Sequence, residues 1–407
     1  MGIHLMTEAN RCLQCKKPMC MEGCPIHTNI PKIIGMVKEG NRRDAERELF
    51  ENNPMSAVCA IICNHEGQCA GHCVLGRKGS PVHFYEIEEY ISGAYLDKYD
   101  CIKTKSHEEK VAVIGSGPAG LTVAIILAKE GYPVTIFEEK DKIGGMLRYG
   151  IPQFRLSKNL VDRYENILIK LGVKVRPNTV LGGALKIDDL FRDGYKAVFV
   201  GTGVWRPKTL NIKGESLDNV HFGISYLANP EAFHLGERVA IIGMGNVAMD
   251  VARTAIRHGC TQVTLFARSK RIAASNDEVE YARFDGAEFV FGYAIDHITE
   301  KGPVFKIAVF DEDGNVTGYE DEMVQVEADS TIIAASQVAK NKLILTTEEL
   351  KPNDKGLLIT DENCMTTVPG VFAAGDVVHG SNTVVHAVAE AKIAAAAIVR
   401  YIEGELK

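Results

Sequence analysis

Val111-Ala-Val-Ile-Gly-Ser-Gly-Pro-Ala-Gly120, continued by Leu121-Thr-Val-Ala-Ile-Ile-Leu-Ala-Lys-Glu-Gly-Tyr132, sets an apolar strand, a glycine turn and an apolar helix in unbroken order. The glycines have separate tasks. Gly115 makes the tight turn, Gly117 lets the backbone approach a pyrophosphate, and Gly120 packs helix on strand. The helix N-terminus offers amide hydrogens and a positive dipole end to the phosphates. The next strand, Val134-Thr-Ile-Phe137, ends at Glu138, roughly 20 residues on, where a carboxylate can accept ribose hydroxyls. A glycine turn that serves packing alone would not need that acid.

The pattern recurs downstream. Arg238-Val-Ala-Ile-Ile-Gly243-Met-Gly245-Asn246-Val247-Ala248 leads into a helix and then the strand Gln262-Val-Thr-Leu-Phe266. This strand delivers Ala267, Arg268, Ser269, Lys270 and Arg271 in place of an acid. Cations there can pair with a 2′-phosphate, so NADP(H) is favoured over NAD(H), the alternative being solvated loop charges. Late in the chain Pro369-Gly-Val-Phe-Ala-Ala-Gly375-Asp376 and Ser381-Asn382-Thr383 precede an alanine-rich helix, which suits an acid bonded to a polyol or an ordinary helix cap. Two more strand-like runs end in small residues, Ala197 to Gly203 and Thr331 to Ser336, as backbones do beside a cofactor. A dinucleotide unit, an inserted second unit and a return to the first is the order of a two-domain flavoprotein.

Upstream the chemistry changes. Of 11 cysteines, all but Cys101, Cys260 and Cys364 fall between Cys12 and Cys73, as Cys12-x2-Cys15-x4-Cys20-x3-Cys24-Pro25 and Cys59-x3-Cys63-x5-Cys69-x3-Cys73. Structural zinc favours two close pairs. Triplets ending in Cys-Pro follow bacterial ferredoxin logic, although the gap before Cys20 is longer, so iron–sulfur is favoured over zinc or free thiols. Ile30 to Phe50 and Val82 to Tyr95 carry helical apolar spacing. The fold expected is an α/β two-dinucleotide-domain flavoprotein (FAD and NAD(P) Rossmann-like domains) preceded by an α-helical ferredoxin-like [4Fe–4S] domain. Its boundaries are expected at 1–107 for the iron–sulfur domain, 108–235 with 325–407 for the FAD domain and 236–324 for the NAD(P)H domain.

The 407 residues are 46% hydrophobic and 24% charged with net charge −7, so neither disorder nor a nucleic-acid or membrane partner is called for. The opening MGIHLMTEANRC has no signal-peptide order, and a cytoplasmic location is expected.

Across nearly its whole length the sequence resembles the small subunit of bacterial NADPH-dependent glutamate synthase and its relatives. These are the amino-terminal half of dihydropyrimidine dehydrogenase, its bacterial NADH-oxidising subunit, and the large subunit of electron-bifurcating NADH-dependent ferredoxin:NADP oxidoreductase. The resemblance rests on both cysteine groups, Gly144-Gly-Met-Leu-Arg-Tyr-Gly-Ile-Pro152 with Phe154-Arg-Leu156, Gly243-x-Gly-Asn-Val-Ala-Met-Asp250, and Val371-Phe-Ala-Ala-Gly-Asp376. It implies two [4Fe–4S] clusters, one on Cys12, Cys15, Cys20 and Cys73, the other on Cys24, Cys63, Cys69 and Glu88, with Cys59 spare and an ordinary surface carboxylate the alternative for Glu88. It places FAD on Gly115, Ser116, Gly117, Pro118, Ala119, Gly120, Glu138, Gly145, Met146, Arg155, Gly375, Asp376 and Thr383. NADPH falls on Gly243, Gly245, Asn246, Val247, Arg268 and Arg271. Three departures stand out: Ala60-Ile-Ile-Cys-Asn64 for the family's Gly-Arg-Val-Cys-Pro, Ala334-Ala-Ser-Gln337 for Ala-Ile-Gly-Gln, and a short segment before Cys12.

The function expected is an NADPH-oxidising, or in reverse NADP-reducing, electron-transfer subunit. Hydride passes from NADPH to FAD and electrons leave singly through the clusters to another redox subunit, with ferredoxin reached at most indirectly. An electron-bifurcating transhydrogenase is the preferred complex, and glutamate synthase or dihydropyrimidine dehydrogenase assemblies are the alternatives. Rivals are a zinc-binding scaffold and a stand-alone diaphorase. A flavin-disulfide reductase is disfavoured, because only the isolated Cys260 and Cys364 lie in the nucleotide folds. No side chain is required as catalytic acid or base, since hydride transfer needs two stacked rings.

Overall fold

The computed structural model describes residues 3–100 and 105–406, and Cys101 lies outside them. It divides into two compact units, one of Met1–Leu147, Gln153–Val204 and Ala339–Lys407, the other of Arg148–Pro152 and Trp205–Val338.

In the first unit five parallel strands lie in the order Val371–Ala373, Tyr195–Val200, Lys110–Ile114, Val134–Phe137, Lys174–Arg176. Val111 to Ile114 and Ala197 to Val200 are buried without alternation, as strands covered on both faces by helices must be. The chain builds outward from Lys110–Ile114, then returns to place Tyr195–Val200 on its other side. The strand order therefore reverses between these two, and such a reversal leaves a crevice beyond their carboxyl ends. Gly115 and Gly201 stand there. Helix Pro118–Glu130 packs against Val384–Ile402, whose buried alanines, among them Ala387, Ala391 and Ala394, allow close approach. Val371–Ala373 joins this sheet, so the carboxyl-terminal segment does return to the first fold.

Helices Ile3–Arg11, Ile30–Lys38, Arg42–Asn52, Ser56–Ile62 and Phe84–Lys98 belong to the same unit. Ile30, Ile33, Ile34 and Val37 recur at helical spacing and meet Leu49, Ile87 and Ile91 in one core. The helical stretch expected from Ile30 to Phe50 breaks at Glu39-Gly40-Asn41, because its two apolar faces fold onto each other. Ion pairs and hydrogen bonds tie these helices to the flavin fold: Lys129 to Glu51, Arg163 to Asp97 at 2.9 Å, and Lys170 Nζ to the Tyr99 carbonyl at 2.8 Å.

The second unit repeats the plan, with parallel strands in the order Val220–Phe222, Ser330–Ile333, Arg238–Ile242, Gln262–Ala267, Glu288–Phe291. Its reversal lies between Arg238–Ile242 and Ser330–Ile333. A three-stranded antiparallel sheet, Tyr293–Thr299, Gly302–Phe310 and Val316–Gln325, is inserted before the return strand. Boundaries at 235 and 325 are thus too narrow for this unit. Val220–Phe222 and Ser330–Ile333 bond into its sheet, and Asp329 fixes the return by accepting the Glu237 and Arg238 amides (3.0 and 2.9 Å) and the Arg238 guanidinium (2.8 Å). The run Thr331 to Ser336 consequently flanks the second glycine turn. Among the described residues no helix is long and apolar enough to cross a membrane.

Candidate functional site

At the first reversal the glycine turn is held from several sides. A Cβ on Gly120 would sit 2.0 Å from the Gly115 carbonyl oxygen, so only glycine lets the helix begin there. Glu138 is buried and accepts from the Ser116 amide (2.8 Å), the Ser116 hydroxyl and the Lys140 amide (2.8 Å). A carboxylate has about four acceptor positions, so one remains for a ribose hydroxyl. The Gly144 amide donates to the Ser116 carbonyl (3.1 Å), and a Cβ on Gly145 would lie 2.8 Å from Gly117 Cα. Gly145 and Met146, the latter opening helix Met146–Tyr149, are thereby set against the turn.

Gly375 abuts Ala119 on the opposite side, and its amide donates to Glu390 at 2.7 Å. Asp376 follows, accepting the Asn382 amide at 3.1 Å, and burial pushes its carboxyl up to about 6. Thr383 caps helix Val384–Ile402 and pairs with His386 Nδ1 at 2.6 Å. Gly115 to Gly120, Glu138, Gly145, Gly375 and Asp376 thus converge on one crevice, while Arg155 is half-buried in the loop after Pro152. The N-terminus of Pro118–Glu130 opens into that crevice, with Gly117 as its cap, and suits a pyrophosphate.

The second turn has the same form. Gly243 adopts φ +141°, and a Cβ there would lie 2.5 Å from the Ala334 carbonyl oxygen. Gly245 caps helix Asn246–Arg257, with Val247 in its first turn. Arg268 and Arg271 are exposed just beyond strand Gln262–Ala267 and make no ion pair among the described residues, whereas the Lys270 ammonium sits 4.7 Å over the Phe310 ring. Asn246, expected among the nucleotide-binding residues, accepts the Ser275 amide through its side-chain Oδ1 at 3.0 Å.

The cysteines line two cavities. Cys12, Cys15, Cys20 and Cys73 border one, with Leu13, Met19, Ile34 and Phe84. Cys24, Cys63 and Glu88 border the other, with Cys59, His65 and Val385, and Cys69 borders both. Among the described residues no three such side chains converge closely enough for a single metal ion. Burial pushes the Cys20 thiol up to about 11 and raises Cys12 and Cys69 as well. A metal binding these thiols must therefore displace their protons.

Glu88 is 7% exposed, makes no hydrogen bond or ion pair among the described residues, and its carboxyl is pushed up by burial and then by Cys59. The surface-carboxylate alternative therefore fails, while Glu89 beside it is exposed and Glu86 pairs with His83. The Tyr164 hydroxyl is also buried without a partner, and Cys59 and Glu88 act on it electrostatically. Orphaned polar groups beside a thiol-lined cavity fit an iron–sulfur cluster.

Sequence reasoning passed over several further contacts. The Lys392 ammonium, on helix Val384–Ile402, donates to the Asn52 carbonyl (2.7 Å) and Oδ1 (2.8 Å). Asn52 Nδ2 donates to Thr28 Oγ1 at 3.0 Å, which accepts from the Cys24 thiol at 3.5 Å. Glu390, which holds Gly375, also pairs with His379 at 3.2 Å.

The family model described as pyridine nucleotide-disulphide oxidoreductase matches residues 70–189 and 109–391, and that described as dihydropyrimidine dehydrogenase domain II, 4Fe-4S cluster, matches 3–99. Glutamate synthase [NADPH] small chain of Azospirillum brasilense is 33% identical over 98% of this chain and 89% of its own length. The Escherichia coli glutamate synthase small chain is 31% identical, covering 97% and 91%. NAD-dependent dihydropyrimidine dehydrogenase subunit PreT of Escherichia coli is 33% identical, covering 98% and 94%. Among solved structures, Mycobacterium tuberculosis FprA in complex with NADPH aligns at TM-score 0.61 and 17% identity, over 74% of this chain and 87% of that one. Such a likeness speaks for the fold alone.

Proposed function

The chain belongs to the pyridine nucleotide-disulphide oxidoreductase family, with an amino-terminal 4Fe-4S domain, and from that premise we propose that it is the NADPH-oxidising electron-input subunit of a larger redox complex. It is an FAD- and NAD(P)H-dependent iron–sulfur oxidoreductase. When bound, FAD exchanges hydride with the nicotinamide and iron–sulfur clusters carry electrons singly.

The observation that carries the proposal is helix Val384–Ile402. It begins at Thr383 beside the flavin crevice, places Val385 on the wall of the Cys24, Cys63 and Glu88 cavity, and grips Asn52 through Lys392. One helix thus borders both the crevice and the cavity, which supports electron passage between them. We assign one cluster to Cys24, Cys63, Cys69 and Glu88 as the near one, and a second to Cys12, Cys15, Cys20 and Cys73 as the exit. Leu13 and Met19 are exposed at the exit cavity, with Lys16, Lys17, Arg77 and Lys78 exposed on the loops around it, a surface for a partner redox subunit. The names of the relatives, a small chain and a subunit, support that reading.

Arg268 and Arg271 favour NADPH, because unpaired guanidiniums beside the second turn match a 2′-phosphate. The chain's own residues bind, orient and shield; none is needed to move a proton during hydride transfer. An electron-bifurcating transhydrogenase is the form in which NADP is reduced, and the same residues serve either direction.

Iron, sulfide and zinc analysis, with electron paramagnetic resonance of dithionite-reduced protein, tests the proposal. Iron and sulfide equal to two [4Fe–4S] clusters, with coupled signals, are expected. Zinc without sulfide would overturn it in favour of a scaffold.

A further inference from the structure

Three successive backbone amides of the loop after strand Gln262–Ala267 turn inward upon the second glycine turn. Ala273 and Ala274 both donate to the Met244 carbonyl at 3.0 Å, and Ser275 donates to Asn246 Oδ1 at 3.0 Å. Met244 is buried and sits between the two glycines of the turn. The loop is therefore rooted at both ends, at Ala267 by the parallel sheet and at Ala273 to Ser275 by the nucleotide turn itself. Only residues 268–272 span the interval. Within it Lys270 is drawn aside onto Phe310, leaving the two exposed arginines as the cations available to a ligand.

A cation loop on a surface pays side-chain and backbone entropy to meet a phosphate, and that cost falls when the loop is already held in place. The bonds to Met244 use a main-chain oxygen that no substitution removes. The bond to Asn246 is the one made by a side chain. Pyrophosphate recognition does not need it, because Gly245 and the amides at the start of helix Asn246–Arg257 supply that contact.

We infer that Asn246 is a positioning residue for nucleotide selectivity: through Ser275 it holds the Arg268–Arg271 loop against the dinucleotide turn, so that the chain prefers a 2′-phosphorylated nucleotide. This rests on the NADPH reading above and adds to it a residue that does not touch the 2′-phosphate. A residue binding pyrophosphate would act on NAD and NADP alike; Asn246 acts on the difference.

The test is calorimetric titration of the oxidised, flavin-loaded protein with NADP+, NAD+ and 2′,5′-ADP, without turnover. Removing one neutral hydrogen bond is worth about three- to tenfold in affinity. Asn246→Ala should weaken NADP+ and 2′,5′-ADP binding by about that factor and leave NAD+ within about twofold. Asn246→Asp keeps the acceptor for the Ser275 amide while adding a charge at the helix start, beside the pyrophosphate that both nucleotides share. Both nucleotides should then weaken together, with their ratio preserved. Equal weakening of NAD+ and NADP+ by Asn246→Ala would overturn the inference and return the side chain to the pyrophosphate. The double variant Arg268→Ala with Arg271→Ala separates the two claims. If it leaves the NADP+ to NAD+ ratio unchanged, the NADPH reading fails. If it collapses the ratio while Asn246→Ala does not, the positioning role alone fails.

Discussion

Lys392→Met isolates the contact that joins the flavin fold to the second cysteine cavity. The aliphatic stem keeps its packing and only the ammonium is lost. That ammonium donates at 2.7 and 2.8 Å to both oxygens of Asn52, which closes helix Arg42–Asn52. Carbonyls at a helix end have no partner within the helix, so this one would be left unsatisfied. Charge-assisted bonds contribute about 1.5–3 kcal/mol each, and the half-buried setting of Lys392 brings the pair to about 2 kcal/mol in total. Because Asn52 in turn orients Thr28 against Cys24, local opening should spread to residues 24–28. At about 1.4 kcal/mol per decade, amides of residues 24–28 and 49–53 should exchange with solvent deuterium about 30-fold faster. Mass-spectrometric hydrogen exchange on the holoprotein reads this directly, with residues 262–267 of the other unit as an internal reference. Unchanged protection at both segments would refute the reasoning, because the contact would then carry no energy.

Two further outcomes follow from the site. Glu88→Ala should lower iron and sulfide content or shift one cluster's potential in an electron paramagnetic resonance redox titration, while Glu88→Gln, which keeps an oxygen donor, should retain the iron; identical iron content and potentials in both variants would remove Glu88 from the ligand set. Burial pushes the Asp376 carboxyl up to about 6 against an ordinary 3.8, so its neutral form is the better accommodated one. Its contribution to stability is fully present below 3.8 and is lost as pH rises through about 6. Asp376→Asn should therefore be more stable than the parent above that pH and equal to it in strong acid, by urea unfolding of the flavin-free protein; a pH-independent difference would contradict the assignment.

What was legible in the sequence was local. Val134–Phe137 and Arg238–Ile242 could be drawn from composition, because a parallel strand leading into a glycine turn has few alternatives. The small-residue ends of the runs through Gly201 and Ala334 were also visible, but the reversal beside each became apparent only from the sheet order. The outer strands were not legible: Val220–Phe222 is three residues long and gains its place only through Ser330–Ile333, which Asp329 fixes from 91 positions away. Lys392 and Asn52 are separated by 340 positions, and no periodicity relates them. Asn246 carried a motif, but its partner Ser275 lies 29 residues on, so the motif alone pointed to phosphate. Glu88 stands between acids of the same type, and only the fold separates the buried carboxylate from the exposed one. The break after Lys38 was hidden because charged residues continue on both sides of it.

The central claim is that electrons enter from NADPH at the flavin and leave through the cysteine-lined centres. An anaerobic ultraviolet–visible titration of the purified protein with NADPH, and separately with NADH, tests it most directly. The account predicts flavin bands on a broad iron–sulfur absorbance, with both bleaching on substoichiometric NADPH and far less on equal NADH. A flavin that neither nucleotide reduces, or one that bleaches while the iron–sulfur absorbance stays fully oxidised, would contradict it.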